Sequence, residues 1–454
     1  MKKLASVFKN KEIMSRLFFT LMCLFIFRLG ANVIVPGAQT TAALNDAVNS
    51  TSTIGLLNLI GGGALQSFSI FALGVSPYIT AQIIIQLLSM DVLPALTELT
   101  KQGEYGRKKI DMTTRYLTLM LGAVQAYAMI TLMKNNDYVV LPNDDFLTYV
   151  YIIVLMLGGT LFTMWLGDQI TEKGIGNGIS MIIFSGIVVN LPRQIAMAFT
   201  KWISSNMGST ESGNDLFIGV LQFLLYIFLF LAIIFFVVFI EMSKRKIPVQ
   251  HSAKGAGNTA KMSQVSFLPI KLNSSGVLPV IFASSILTAP GIIGSFFGAR
   301  SDDAWMNIFN PNGKFVFDGG FWFPFGAIIY ITLIILFSFF YAQIQINPEK
   351  LAENFQKNGS YIPGVRPGAE TQRYVKYVVN RVTCIGAISL AIIAVIPIII
   401  NLTEMFGPES AQLALGGTGL IIVVGVCMEL KSQIEGLLAG KSFEEAQARR
   451  IEGI

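Results

Sequence analysis

Histidine is almost absent from this chain, and cysteine and charge are scarce. The one histidine, His251, excludes a histidine-based metal site and a histidine-dependent triad. The three cysteines, Cys23, Cys384 and Cys427, sit in apolar runs without paired spacing. They read as small buried hydrophobes, not as disulfides or metal ligands. Charged residues make up 13% of the 454 residues, about half the share of a soluble domain. Inside the apolar runs they are rarer still: Arg28 stands within one, and Asp168 and Glu429 lie at boundaries. Ion-coupled transporters keep carboxylates or histidines near the membrane midplane, so this poverty argues against that class. GLLAGKS at 436–442 has too few residues between its glycines for a nucleotide-binding P-loop, and GIGNG at 174–178 joins two apolar runs. No nucleophile, acid/base pair or metal cluster stands out. The expectation is a protein that is not an enzyme, needs no cofactor and draws energy from a partner or the membrane potential.

What the chain has in excess is apolar length. Hydrophobic residues reach 53% and the mean hydropathy is +0.61, which marks a polytopic membrane protein. Ten spans are predicted near 16–36, 69–90, 115–134, 147–170, 178–200, 216–240, 272–296, 324–346, 378–403 and 411–432. The first apolar run is too long for a signal peptide, contains Arg28 and lacks a small-x-small cleavage site, so it is read as a retained span. Lysine and arginine crowd alternate connections. The opposite loops hold only Lys134, Arg193, Lys201, Arg300 and Lys314. The positive-inside rule then places both termini in the cytoplasm.

The stretch Ile54–Met90 is read as the centre. Its first part, 54–66, is apolar with three consecutive glycines, Gly61, Gly62 and Gly63. As a helix it reaches about 20 Å, short of the roughly 30 Å of bilayer hydrocarbon. The second part carries Gly74 and Pro77. A half-length segment leading into a Gly/Pro-marked span predicts a re-entrant element, which is tolerated only where protein or a water-filled cavity surrounds it.

Five spans per half force the halves to run in opposite directions, as in inverted repeats. Gly74-Val75-Ser76-Pro77 is echoed by Gly276-Val277-Leu278-Pro279, with Ile79 and Ile281 two residues after each proline. Gly174, Gly176 and Gly178 open the fifth span, and Gly416, Gly417 and Gly419 open the tenth. The suspected axis offers isoleucines instead of charges, and a hydrophobic constriction closes a pore by dewetting. The pairs Ile79/Ile83 and Ile179/Ile183 each share a helix face. The loops at 241–271 and 347–377 are basic, longer than orientation requires, and hold turn residues such as YIPGVRPG at 361–368. They are read as a docking surface for a cytoplasmic partner.

Several long motifs carry a resemblance: WLGDQITEKGIGNGIS (165–180), SIFALGVSPYITAQIIIQLL (69–88), GVLPVIFASSI (276–286), NPEKLAENFQKNGSYIPGVRPG (347–368) and GGTGLIIVV (416–424). Together they resemble the SecY/Sec61-alpha family, the channel subunit of protein translocons, over essentially all ten spans. The resemblance implies an all-α polytopic membrane protein of ten transmembrane helices in two inverted five-helix halves, with 54–66 as a re-entrant plug helix. The N-terminal half is 1–200, the C-terminal half 201–440 and the cytoplasmic tail 441–454. Ile79, Ile83, Ile179, Ile183, Ile281 and Ile422 fall on the pore ring. The plug takes in Ile54, Leu57, Ile60, Gly61, Gly62, Gly63 and Leu65. Spans two and seven form a lateral gate with Gly74, Pro77, Gln82, Gln86, Pro279 and Ser284.

The resemblance further implies docking of a motor or ribosome on Lys244, Arg245, Lys246, Lys254, Lys261 and Arg366. The loop AKGAGNTAKMSQVSFLP has fewer arginines than the family carries there. Implied partners are the SecE and SecG membrane subunits, the SecA motor ATPase, the ribosome, signal-peptide or nascent-chain substrate and membrane lipids. No nucleic acid other than ribosomal RNA is implied. The implied location is the bacterial plasma membrane. Two other classes compete with this reading: an ion-coupled secondary transporter with inverted repeats, and a lipid scramblase or insertase, which would want a polar groove.

Overall fold

The structure is a computed structural model that describes residues 10–41, 43–44, 53–89, 93–141, 145–204, 213–251, 266–296, 304–311, 313, 315–316, 322–402 and 417–451. In chain order its helices are α1 (Lys11–Ala31), α2 (Thr53–Ile60), α3 (Ser76–Leu88), α4 (Pro94–Lys101), α5 (Gly103–Asn135), α6 (Phe146–Lys173) and α7 (Gly178–Phe199). They continue as α8 (Gly213–Met242), α9 (Leu278–Phe296), α10 (Ala304–Phe309), α11 (Phe325–Gln345), α12 (Pro348–Lys357), α13 (Ala369–Leu402) and α14 (Gly417–Ile451). Among the described residues seven helices are long and apolar enough to cross a membrane, and α3 and α9 are shorter apolar helices. Outward-facing side chains such as Phe235, 74% exposed, and Phe228, 67% exposed, would be untenable in water and suit a lipid-facing surface.

Helix lengths depart from the hydropathy reading for local reasons. The second and seventh spans are predicted at 69–90 and 272–296, yet α3 starts at Ser76 and α9 at Leu278. Gly74 has φ +52° and Gly276 φ +63°, left-handed values that end any helix arriving from upstream. Pro77 and Pro279 are each the second residue of the helix that follows, where a missing N–H costs nothing. The Gly-x-x-Pro echo is therefore one helix-start device used twice. Other helices outrun their predicted spans. α5 begins at Gly103 and carries Arg107, Lys108 and Lys109 before the apolar stretch, because hydropathy reports lipid contact and not helicity.

Two cysteines also differ from expectation: Cys23 is buried, but Cys384 and Cys427 are exposed on the sides of their helices. In a spanning protein those sides face lipid, where a thiol is tolerated.

The fold is not purely helical. Two-residue strands β1 (Gln39–Thr40) and β2 (Val139–Val140) pair antiparallel, and the loop after α8 forms an antiparallel hairpin, β3 (Lys244–His251) with β4 (Ser266–Lys271), in the register Lys246↔Pro269 and Ile247↔Leu268. A two-residue strand at Ser360–Tyr361 pairs with the other edge of β3, Gln250 facing Tyr361 and His251 facing Ser360. Alternation explains the hairpin: Ile247 and Val249 are buried while Lys246 and Pro248 are exposed. Ile247 and Ile270 join Ile362, Val375, Val378, Val379 and Val382 in a separate small core. The two basic loops are thus one platform. Ile247→Asp places an unpaired carboxylate in this core at a cost of about 2–5 kcal/mol. Limited trypsin digestion should then cut between Lys244 and Lys271 much faster than in the native protein, with the spans left protected. Unchanged cleavage would mean the platform does not depend on this core.

Candidate functional site

The largest apolar cluster runs through the middle of the molecule and draws on helices from both ends of the chain. Ile79 and Ile83 come from α3, Ile183 from α7, Ile281 from α9 and Ile422 from α14; each is 1–3% exposed. Ile179, one turn before Ile183 on α7, is half-buried and packs against the same cluster. All six residues predicted to line a ring thus belong to this one cluster or pack against it. Where side chains of this kind line a pore, they exclude water and ions by apolar contact alone.

Beside it lies the glycine-rich turn. The helical part of 54–66 is shorter than expected: α2 covers eight residues, then Gly61–Gly63 turn, and Leu65–Ser67 form one 3-10 turn. Gly63 N–H donates to the Asn58 carbonyl at 2.8 Å and Gly62 has φ +74°, a Schellman-type helix end. Asn58 is buried and its side-chain oxygen accepts from Leu65 N–H at 3.1 Å, closing the turn on itself. The turn sits backbone-to-backbone on α7: a Cβ at Gly186 would run into Gly62. Ile54, Leu57 and Leu65 are buried in a second cluster with α5 and α6 residues such as Met129, Ile130 and Met156. The Ile60 side chain lies outside the described residues.

The sequence reading left Arg28 without a partner, and the structure supplies one. Its Nη1 donates to the Gly62 carbonyl at 3.2 Å across 34 residues of chain, a contact no local pattern announces.

The predicted gate elements meet as well. α3 and α9 pack against each other, and both touch α5. Pro77, Pro279 and Ser284 are buried, the Ser284 hydroxyl donating to the Val280 carbonyl at 3.0 Å. Gln82 is half-buried, and the Gln86 Oε1 is buried with no partner among the described residues. Gln125 of α5 donates to the Thr80 hydroxyl at 3.4 Å. Gly74 was expected on the gate helix but lies in the turn before it, backed against Gly61. It thus joins the glycine turn to α3.

On the basic face, Lys244, Arg245 and Lys246 are exposed along β3. Arg366 is exposed on a turn fixed by its own backbone: its N–H donates to Glu370 at 3.3 Å, and its carbonyl accepts from the Thr371 hydroxyl at 2.9 Å. Lys254 and Lys261 lie outside the described residues. Below the platform, buried Glu241 accepts from Asn273 Nδ2 at 2.6 Å, and the same amide nitrogen donates to the Gly276 carbonyl at 3.0 Å. The start of α9 is thereby tied to the end of α8. At the other junction Gly176 N–H donates to Gln433 of α14 at 2.7 Å, and Ile175 N–H to Thr20 of α1 at 3.0 Å.

A polytopic helical bundle with an isoleucine-rich central cluster, a re-entrant segment beside it and a glycine-preceded helix in each half fits the class of polytopic helical channels. The SecY family profile matches residues 69–431, and the chain belongs to that family. It is 42% identical over 446 residues to the protein translocase subunit SecY of Bacillus subtilis (strain 168), covering 97% of this chain and 98% of the relative. It is 41% identical over 452 residues to the subunit of the same name from Mycoplasma capricolum, covering 98% and 91%. Among solved structures it is similar in fold to one described as a protein conducting channel, with TM-score 0.65 and 18% identity over 94% of this chain and 92% of that one. It is also similar to Sec61 in a canine ribosome-channel complex, with TM-score 0.62 and 18% identity over the same shares.

Proposed function

We propose that this chain is the central pore-forming subunit of a protein-conducting channel in the bacterial plasma membrane, with both termini cytoplasmic. It passes unfolded secretory polypeptides across the membrane and releases transmembrane segments sideways into lipid. The observation that carries the reading is that six isoleucines from four helices of both halves belong to one apolar cluster or pack against it. Ile79, Ile83, Ile179, Ile183, Ile281 and Ile422 form the ring that closes the resting pore. Isoleucine suits this work because it binds no particular sequence and conforms around many side chains. The segment 54–66 is the plug, and α3 and α9 are the two lips of the lateral gate.

A docked signal sequence parts α3 from α9, the plug leaves its seat against α7, and the ring widens around the chain. The basic platform of β3, β4 and the Arg366 turn receives the SecA motor or the ribosome. SecE holds the halves together and SecG lies at the periphery. Energy comes from these partners.

The test is a photo-crosslinker placed at Ile79 in the assembled membrane complex, with a secretory chain arrested in transit. Crosslinking of the arrested chain at Ile79, and its absence at the lipid-facing Phe235, is the expected result. Equal labelling at both positions would remove the ring from the path. An ion-coupled transporter predicts no adduct at either.

A further inference from the structure

We propose that Arg28 is a positioning residue that latches the plug in its closed seat; the inference rests on the reading of 54–66 as that plug. Arg28 lies in the last turn of α1, one residue from Phe27, which is fully buried against the position where a Gly62 side chain would stand. Its guanidinium donates to the Gly62 carbonyl at 3.2 Å, at the carbonyl end of the eight-residue plug helix. Carbonyls at a helix C-terminus carry partial negative charge, so a cation placed there is stabilised and its hydrogen bond is charge-assisted. Gly63 adds a second contact: the site of its absent Cβ lies 3.4 Å from Arg28 Nη1 and 3.5 Å from Asn190 Nδ2. Asn190 is itself held by the Gly186 carbonyl at 3.2 Å. Asn190 thus stands beside the turn, while the hydrogen bond to it comes from Arg28.

The Nε of Arg28 is buried and has no hydrogen-bond partner among the described residues. A half-buried cation with a buried, unpartnered Nε loses stability when its remaining bond is removed. The plug turn makes that bond only while it is seated. Displacing the plug takes the Gly62 carbonyl away, and the guanidinium must then find water in the opening pore. Arg28 therefore adds a polar threshold to an otherwise apolar seal, and raises the energy of the open state more than that of the closed one. A role confined to membrane orientation or headgroup contact would not depend on where the plug is.

The experiment compares four reconstituted complexes by single-channel recording in planar bilayers without substrate: the native channel, Arg28→Met, Arg28→Lys and a deletion of residues 54–66. Arg28→Met keeps the length and loses the charge and the donors. Its resting open probability should rise about tenfold, the scale expected when one charge-assisted hydrogen bond is lost. Arg28→Lys retains a cationic donor and should stay within about threefold of native. The deletion should leak more than either.

A native-like Arg28→Met beside a leaking deletion overturns the latch and leaves the plug reading standing. A deletion that does not leak overturns both. Equal leak from Arg28→Met and Arg28→Lys overturns the latch in favour of simple packing. Should Arg28→Met not accumulate in membranes, Arg28→Gln carries the same comparison. A neutral donor makes a bond roughly half as strong, so its open probability should rise about threefold, and a native value overturns the proposal.

Discussion

Replacing Ile79 and Ile183 together with glycine should turn the resting channel into an ion leak. Both side chains are 1–3% exposed within the ring cluster, on α3 and α7. Each substitution removes four carbons, about 3 kcal/mol of apolar burial at roughly 0.8 kcal/mol per carbon. Even a quarter of the combined loss, about 1.6 kcal/mol, corresponds to a more than tenfold change in the closed-to-conducting ratio. Glycine also unlines the constriction, so a water column can form where apolar walls prevented it. The measurement is resting conductance of purified channel in planar bilayers, with Ile388→Gly, on the exposed side of α13, as a control that should not leak. Native conductance in the double variant would show that the seal lies elsewhere. The substitution weakens α3 and α7 as helices by roughly 1 kcal/mol each. The melting temperature of the solubilised complex should fall by more than this helix term alone implies, because the lost burial adds to it, and the leak is read on channel that still melts cooperatively.

Reversing the charge at Arg366 should abolish motor-driven export while leaving the channel assembled. The backbone around Arg366 makes its hydrogen bonds to Glu370 and Thr371 through main-chain atoms, and these survive any side-chain change. The exposed guanidinium is thus free for a partner. Turning a contact charge into one of the wrong sign costs about 2–5 kcal/mol when the pair is desolvated, which is tens- to thousands-fold in affinity. Export of a model preprotein into inverted vesicles should fall to background in Arg366→Glu. Arg366→Lys, which keeps the charge but not the planar fork, should retain part of the rate. Ordinary export by Arg366→Glu would place the docking contact elsewhere on the platform.

The two helix starts could be read from the chain because their signals are local. An isoleucine two residues past a proline, after a Gly-x-x-Pro, needs no knowledge of partners to be placed near a helix start. Its recurrence at 74–79 and 276–281 supplied the symmetry. The span limits at 69 and 272 came out too long because apolar composition continues through Gly74 and Gly276, whereas the helix cannot. The β3–β4 hairpin is hidden in the sequence since the buried alternation of β3 covers only Ile247 and Val249 among Lys246, Pro248 and Gln250, and its third strand is a two-residue piece more than a hundred residues away. Arg28 was visible as an anomaly, but its partner was not. The Gly62 carbonyl is a backbone atom, and no side-chain pattern advertises it.

The pairing of β3 with Ser360–Tyr361 has a consequence for how a bound partner behaves over time. Lys244, Arg245 and Lys246 lie on the strand that Ser360–Tyr361 joins, and the turn carrying Arg366 follows five residues later. On the proposed function, a cytoplasmic partner gripping this face would hold a frame separate from the two gate helices, so its hold and the channel's aperture would be separate variables.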